Sequence, residues 1–180
     1  MSVNNTGKIL VVEDDVPIAF RLQSELQSFG YDVPDFATDA EEALRLAEQY
    51  QPILALVDIG LPGMDGVSLA QILKEKFGIR TVFITAYKDD ATLQRALKTA
   101  PLDYLTKPVG SEALREAVEW ALLDLTSMEN EIRLLVPDYD VWLDAPHERL
   151  GGITPRESIG TSKELDLRRL LRAVVQGMPT

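Results

Sequence analysis

A chain of 180 residues with 46% hydrophobic and 26% charged residues has room for one ordinary domain plus an appendage, and this composition excludes disorder throughout. Zero cysteines and a single histidine, His147, remove disulfides, thiol catalysis and most histidine-based cages, so any metal must be held by oxygen. The net charge of −11 comes from 20 acidic against 11 basic residues through position 125 and 9 against 7 beyond it, and neither part is a basic nucleic-acid surface.

From Lys8 onward, apolar runs alternate with amphipathic stretches. Ile9–Val12 reads as a buried strand, and residues 17–29 as a helix with Ile18, Leu22 and Leu26 on one face. Gly30 closes that helix and residues 31–36 form a weaker strand. Asp39, with Glu42 three residues later, starts a helix through Tyr50 in the manner of a capping box. The run at 53–57 ends in Asp58, and Gly60, Pro62, Gly63 and Gly66 break the chain before helical spacing resumes over 67–77. Residues 81–85 and 103–105 supply two more strands, with helices over 89–100 and from Ser111. Strands apolar on both faces, each followed by a helix, imply a parallel sheet covered on both sides. Right-handed crossovers make it an open doubly wound α/β sheet whose strand ends converge on one edge, where function belongs.

The last helix carries an apolar seam. Leu114, Val118, Ala121, Leu125, Met128, Ile132 and Leu135 alternate spacings of four and three, which predicts one helix over about 111–135. The seam beyond Leu125 outruns the domain, so it meets ordinary core, the C-terminal segment or a second copy of the chain. A homodimer through this helix is one of these expectations.

Polar residues stand at the strand ends: Glu13 and Asp14 after the first, Asp58 after the third, Thr85 after the fourth and Lys107 past the fifth. Three carboxylates brought together repel unless a hard divalent cation lies between them, and oxygen donors point to Mg²⁺. Metal, carboxylate, hydroxyl and ammonium together suit phosphoryl transfer, with a carboxylate as the nucleophile. Simpler readings stand beside this one. Asp14 or Asp15 could cap the first helix, Asp58 could serve the turn that follows, and Tyr104 could be core.

VVEDD, LVDIGLPGMDG, FITAY and DYLTKP, in this order and spacing over about residues 7–125, resemble the CheY-like receiver domain of two-component response regulators. The resemblance implies a flavodoxin-like five-stranded sheet of order 2-1-3-4-5. It implies Asp58 as phosphoacceptor, Glu13 and Asp14 as the acid pair for Mg²⁺, and the Gly60 backbone carbonyl as a further ligand. Thr85 becomes the switch hydroxyl, Tyr104 the switch aromatic, Lys107 the cation on the phosphoryl group and Lys107–Pro108 a cis bond. Ala100–Pro101 departs from the family's usual Gly-Ala pair before the fifth strand. On this reading the phosphoryl group draws Thr85 inward, Tyr104 follows, and small Ala86 leaves room.

After Pro137, residues 141–143 predict a short helix, Gly151–Gly152 a turn, Thr154 and Pro155 a helix start with Glu157 completing the cap, and 165–175 an amphipathic helix. WLDAPHERLGGITPRESI followed by the Leu-rich helix resembles the toxin-binding domain of the Xre/MbcA/ParS antitoxin group over roughly 139–177, with His147 where Asn is common. That implies a toxin-like protein partner. Trp142 reads as core, His147 as a surface loop residue, and Arg168, Arg169 and Arg172 as a solvated face. TPRES also echoes a LuxR-type helix-turn-helix opening, but a single long helix follows, which weighs against DNA.

The expected organisation is a receiver over 1–125, a helical extension and linker over 126–138 and a small helical output module over 139–180. The expected partners are a histidine kinase or phosphotransfer protein and an output protein. A DNA-binding transcriptional regulator is the alternative, and a metal-dependent phosphatase is a third reading, disfavoured because the pocket lacks a further general acid or base. The chain is expected to be a switch and not a turnover enzyme. No apolar run of about 18 residues occurs, and acids interrupt the start where a secretory signal stays apolar, so the cytoplasm is expected and a membrane is not.

Overall fold

The computed structural model describes residues 7–86, 90–99, 101–122, 133, 136, 138–159, 161 and 163–175. It divides into two compact units, Met1–Leu122 and Leu123–Thr180.

In the first unit, β1 (Ile9–Val12), β2 (Phe36–Ala37), β3 (Leu54–Asp58), β4 (Arg80–Thr85) and β5 (Asp103–Thr106) form one parallel sheet in the order 2-1-3-4-5. Around it run α1 (Val16–Ser28), α2 (Ala40–Tyr50), α3 (Gly66–Phe77), α4 (Asp90–Lys98) and α5 (Ser111–Leu122). The CheY-like order expected from the sequence is the order observed. β1 and β3 are buried along their whole lengths because both sheet faces are covered. Their alternate residues feed two cores. Leu10, Val12, Ala55, Val57 and Phe83 pack with α2 and α3, while Ile9, Val11, Leu54, Leu56, Val82 and Ile84 pack with α1 and α5.

Local chemistry sets the helix starts. Asp15, Asp39 and Asp65 cap α1, α2 and α3 by accepting main-chain N–H bonds, and Glu42 reaches back to the Thr38 N–H. β2 is shorter than the predicted 31–36. Only Phe36 and Ala37 pair as a strand, with a single bridge between Lys8 and Asp32, because Pro34 has no N–H to give to a ladder.

α5 is described as far as Leu122, with Leu114, Val118, Ala121 and Leu122 toward the core. The predicted seam at 125, 128, 132 and 135 lies outside the described residues. Among the described residues no helix is long and apolar enough to cross a membrane.

In the second unit, α6 (Tyr139–Leu143), a 3-10 turn (Glu148–Leu150), α7 (Pro155–Ser158) and α8 (Glu164–Val175) follow in turn. Thr154 and Glu157 form the predicted capping box, and Gly151 and Gly152 turn the chain at φ 74° and 86°, where a side chain is strained. Two expectations change here. Trp142 is half-buried and not core: it stacks on Tyr139 at 5.8 Å and meets the His147 ring edge-on at 6.4 Å. Arg168 is not on a solvated face: it is buried together with Glu164, an ion-pair partner at 3.1 Å. Arg169 is exposed as expected. His147 sits in a loop and has a structural task, its Nδ1 accepting the Arg149 N–H at 3.2 Å.

Candidate functional site

Four strand ends build one acidic pocket. Glu13 follows β1, and its N–H extends the ladder to the Ala37 carbonyl at 2.9 Å, which directs its side chain into the interior, where it is 1% exposed. Asp14 is exposed, and Asp15 turns away to accept the Ile18 N–H at 3.1 Å. The cap and the pocket acid are therefore two neighbouring residues with different tasks. Asp58 closes β3, is 6% exposed, and accepts the Gly60 N–H at 3.0 Å through Oδ1. One carboxylate oxygen from each of Glu13, Asp14 and Asp58 lies within 4.8 Å of the others.

Lys107 enters from beyond β5. Its main-chain N–H donates to the Thr85 carbonyl at 2.8 Å, and the Lys107–Pro108 bond is cis, as expected. Its Nζ donates to Glu13 Oε1 at 2.7 Å and to Asp58 Oδ2 at 2.6 Å. Burial raises the Glu13 carboxyl above its ordinary range, opposed by the Lys107 bond and reinforced by the Asp58 charge. Burial pulls Lys107 down, but its hydrogen bonds and charge contacts with Asp58 and Glu13 outweigh that and hold it above the ordinary lysine value.

Glu13 Oε2 is buried, and with Lys107 Nζ 2.7 Å away it keeps lone-pair capacity for a further partner. A buried carboxylate oxygen with an open lone pair, beside two other carboxylates, is a donor set suited to a hard cation. The pocket fits Mg²⁺ on that ground.

The register pairs Phe83 with Tyr104 and Thr85 with Thr106, so Thr85 and Tyr104 occupy the same sheet face on neighbouring strands. Thr85 is buried, and the half-buried Tyr104 ring packs against the core cluster that holds Phe83 and Ala96. All of Glu13, Asp14, Asp58, Gly60, Thr85 and Lys107 thus stand at one edge of the sheet, with Tyr104 toward the middle of β5.

Two contributors escaped sequence reasoning. Arg21 on α1 donates to the Val109 carbonyl at 3.3 Å and pairs with Glu25 at 2.7 Å, tying α1 to the loop that follows Lys107. A Cβ at Gly66 would lie 2.0 Å from the Asp58 carbonyl oxygen, so only glycine lets α3 start against β3. The Gly-Met-Asp-Gly loop signalled a turn but not that contact.

A family profile described as response regulator receiver domain matches residues 9–119. The chain belongs to this family. The chain is 30% identical over 131 residues to the transcriptional regulatory protein PdtaR of Mycobacterium tuberculosis, a match covering 71% of this chain and 64% of PdtaR. It is 30% identical over 143 residues to the DNA-binding response regulator MtrA of Mycolicibacterium smegmatis, covering 79% of this chain and 61% of MtrA. These matches span less than two thirds of either relative's length. Among solved structures, the signal receiver domain of a modulated diguanylate cyclase from Desulfovibrio desulfuricans G20 superposes with a TM-score of 0.62 at 39% identity. It covers 66% of this chain and 94% of that one. A CheY-like receiver from Methanospirillum hungatei JF-1 gives 0.58 at 32%, covering 63% and 90%. Receivers act in two-component signalling and bind Mg²⁺ at an acidic pocket, and the cluster of Glu13, Asp14 and Asp58 is this receiver's acidic pocket. The profile ends before the C-terminal unit, and the likeness of that unit to the Xre/MbcA/ParS toxin-binding domain has no support from these comparisons.

Proposed function

We propose that this receiver accepts a phosphoryl group on Asp58 from a histidine kinase or phosphotransfer protein, and that the phosphorylated state changes what the C-terminal unit binds. The observation that carries the reading is Lys107 Nζ held between Asp58 and Glu13 at 2.6 and 2.7 Å. This puts an ammonium beside the Asp58 oxygens, at the place where phosphoryl oxygens arrive.

The Asp58 carboxylate attacks phosphorus, the phosphorus–nitrogen bond of the donor breaks, and the donor imidazole leaves with the bonding pair. Glu13, Asp14, Asp58 and the Gly60 carbonyl would hold Mg²⁺, which when bound offsets charge on the transferred group. Lys107 pairs with the phosphoryl oxygens once Asp58 has become an acyl phosphate. Thr85, on the neighbouring strand end, donates its hydroxyl to the same group, and Tyr104, two residues away on the same face, repacks into the space vacated. The shift reaches only as far as these added contacts favour one state. The reaction ends with a phosphorylated receiver, so the chain works as a switch and not as a turnover enzyme.

The test is intact mass measurement after incubation with acetyl phosphate and Mg²⁺. One phosphoryl adduct is expected, absent in Asp58→Asn. No adduct in the unaltered chain, under conditions that trap acyl phosphates, overturns the reading.

The output reading is a protein partner of the C-terminal unit. α8 is its only helix longer than five residues among those described, and α8 buries Arg168 instead of offering it to phosphates. The names of PdtaR and MtrA favour a second reading, transcriptional control through DNA. Mobility-shift assays with genomic fragments across a salt series separate the two, since DNA binding weakens steeply with salt.

A further inference from the structure

Away from the acidic pocket, α3 and α4 enclose a cleft of about 590 Å³ whose walls include Val67, Ser68, Gln71, Lys74, Arg95 and Lys98. In a chain of net charge −11, this cleft is cationic. Its three basic residues face one lining carboxylate, Glu75, and the Asp65 that pairs with Arg95.

Among the described residues, much of their donor capacity is unspent. Lys74 Nζ uses one N–H on the Thr99 carbonyl at 3.0 Å. Arg95 reaches both Asp65 oxygens through Nη2 alone, at 3.3 and 3.1 Å, leaving Nη1 and Nε without a partner among the described residues. Lys98 has no hydrogen-bond or ion-pair partner among them. A guanidinium fork and two ammonium groups around one concavity suit an anion with several oxygens, and phosphate supplies three at one centre. A single phosphate fills only part of the volume, which lies in the range of small-molecule sites, and the buried Val67 gives the remainder an apolar wall.

We propose that the α3–α4 cleft binds a phosphate-bearing small molecule of about mononucleotide size, its phosphate held by Lys98, Lys74 and Arg95. The proposal goes beyond the phosphoacceptor reading and does not depend on it.

The experiment titrates the full chain carrying Asp58→Asn, in EDTA, with adenosine 5′-monophosphate, inorganic phosphate and citrate, followed by calorimetry and amide NMR. Saturable binding of the nucleotide is expected, weaker binding of phosphate at the same amides, and peak shifts confined to Ser68, Gln71 and residues 95–99. Lys98→Glu and Arg95→Gln each weaken nucleotide binding about tenfold or more. Both are exposed positions, and unchanged circular dichroism checks that the variants fold. The proposal is overturned by no saturable binding of either phosphate probe, by undiminished affinity in both variants, or by citrate binding as tightly as the nucleotide. Phosphoryl transfer to Asp58 is read separately in the otherwise unaltered chain by intact mass, with Lys98→Glu expected to leave it unchanged, so the two readings fail independently.

Discussion

Lys107 Nζ lies 2.6 Å from Asp58 Oδ2 and only 18% of its side chain is exposed, so one ammonium compensates a nearly buried acid. Removing it leaves Asp58 and Glu13 facing each other without a counter-charge. Lys107→Ala is expected to destabilise the metal-free receiver by about 1–3 kcal/mol, read from urea unfolding. Millimolar Mg²⁺ should restore part of the loss, because the cation offsets the same carboxylates. Unchanged stability without metal would show that water already screens the pair.

Glu13 gives a pH signature of opposite sign to an ordinary ion-paired acid. Its folded-state value is raised above 4.5, chiefly by burial, so between the unfolded and the folded values the folded chain holds a proton that the unfolded chain has released. Stability from this group is therefore present below the unfolded value and is lost as pH rises through the folded one. In EDTA, the difference in unfolding free energy between the unaltered chain and Glu13→Gln should shift against the unaltered chain as pH rises from 4.5. A difference independent of pH would mean that burial does not penalise the charge.

Asp14 separates metal binding from folding. It is exposed, and its carboxylate oxygen completes the cluster with Glu13 and Asp58. Asp14→Asn should alter metal-free stability by less than about 0.5 kcal/mol. The unaltered receiver should gain about 1.4 kcal/mol at a Mg²⁺ concentration ten times the dissociation constant, and the variant should gain much less at that concentration. Equal gains in thermal melts would remove Asp14 from the ligand set.

Gly66 is where the α3 backbone meets β3. An added Cβ would stand 2.0 Å from the Asp58 carbonyl oxygen and 2.9 Å from the Ile59 Cα, both main-chain atoms that cannot swing aside. Gly66→Ala should cost about 1–3 kcal/mol and slow phosphoryl uptake from acetyl phosphate, since the backbone carrying Asp58 must shift. Native stability and uptake in the variant would contradict the close approach.

In the C-terminal unit, Arg168 and Glu164 form a buried i, i+4 pair with 7% and 6% of their side chains exposed. Arg168→Ala takes the guanidinium at 3.1 Å away from a buried carboxylate and should destabilise this unit by about 3 kcal/mol, whereas a joint Arg168→Met and Glu164→Leu change recovers most of it. Limited proteolysis of the segment beyond Leu122 reads the effect. Equal sensitivity of the single and double variants would mean that the pair itself, and not an uncompensated charge, sets stability.

By itself the sequence determined the layout and most of the pocket. Both-face apolar runs at 9–12 and 53–57 leave a parallel, doubly covered sheet as the physical solution, and parallel strands deliver Glu13, Asp58, Thr85 and Lys107 to the same edge. These properties follow from periodicity and from residues close in the chain. Tertiary structure decided what depends on residues far apart: that Asp15 caps while Asp14 joins the cluster, that Lys107 bridges Glu13 and Asp58 across 94 and 49 positions, and that Gly66 must be bare against Asp58. It also reversed the reading of Arg168, because a charge pattern along one helix says nothing about which of its sides the rest of the chain covers.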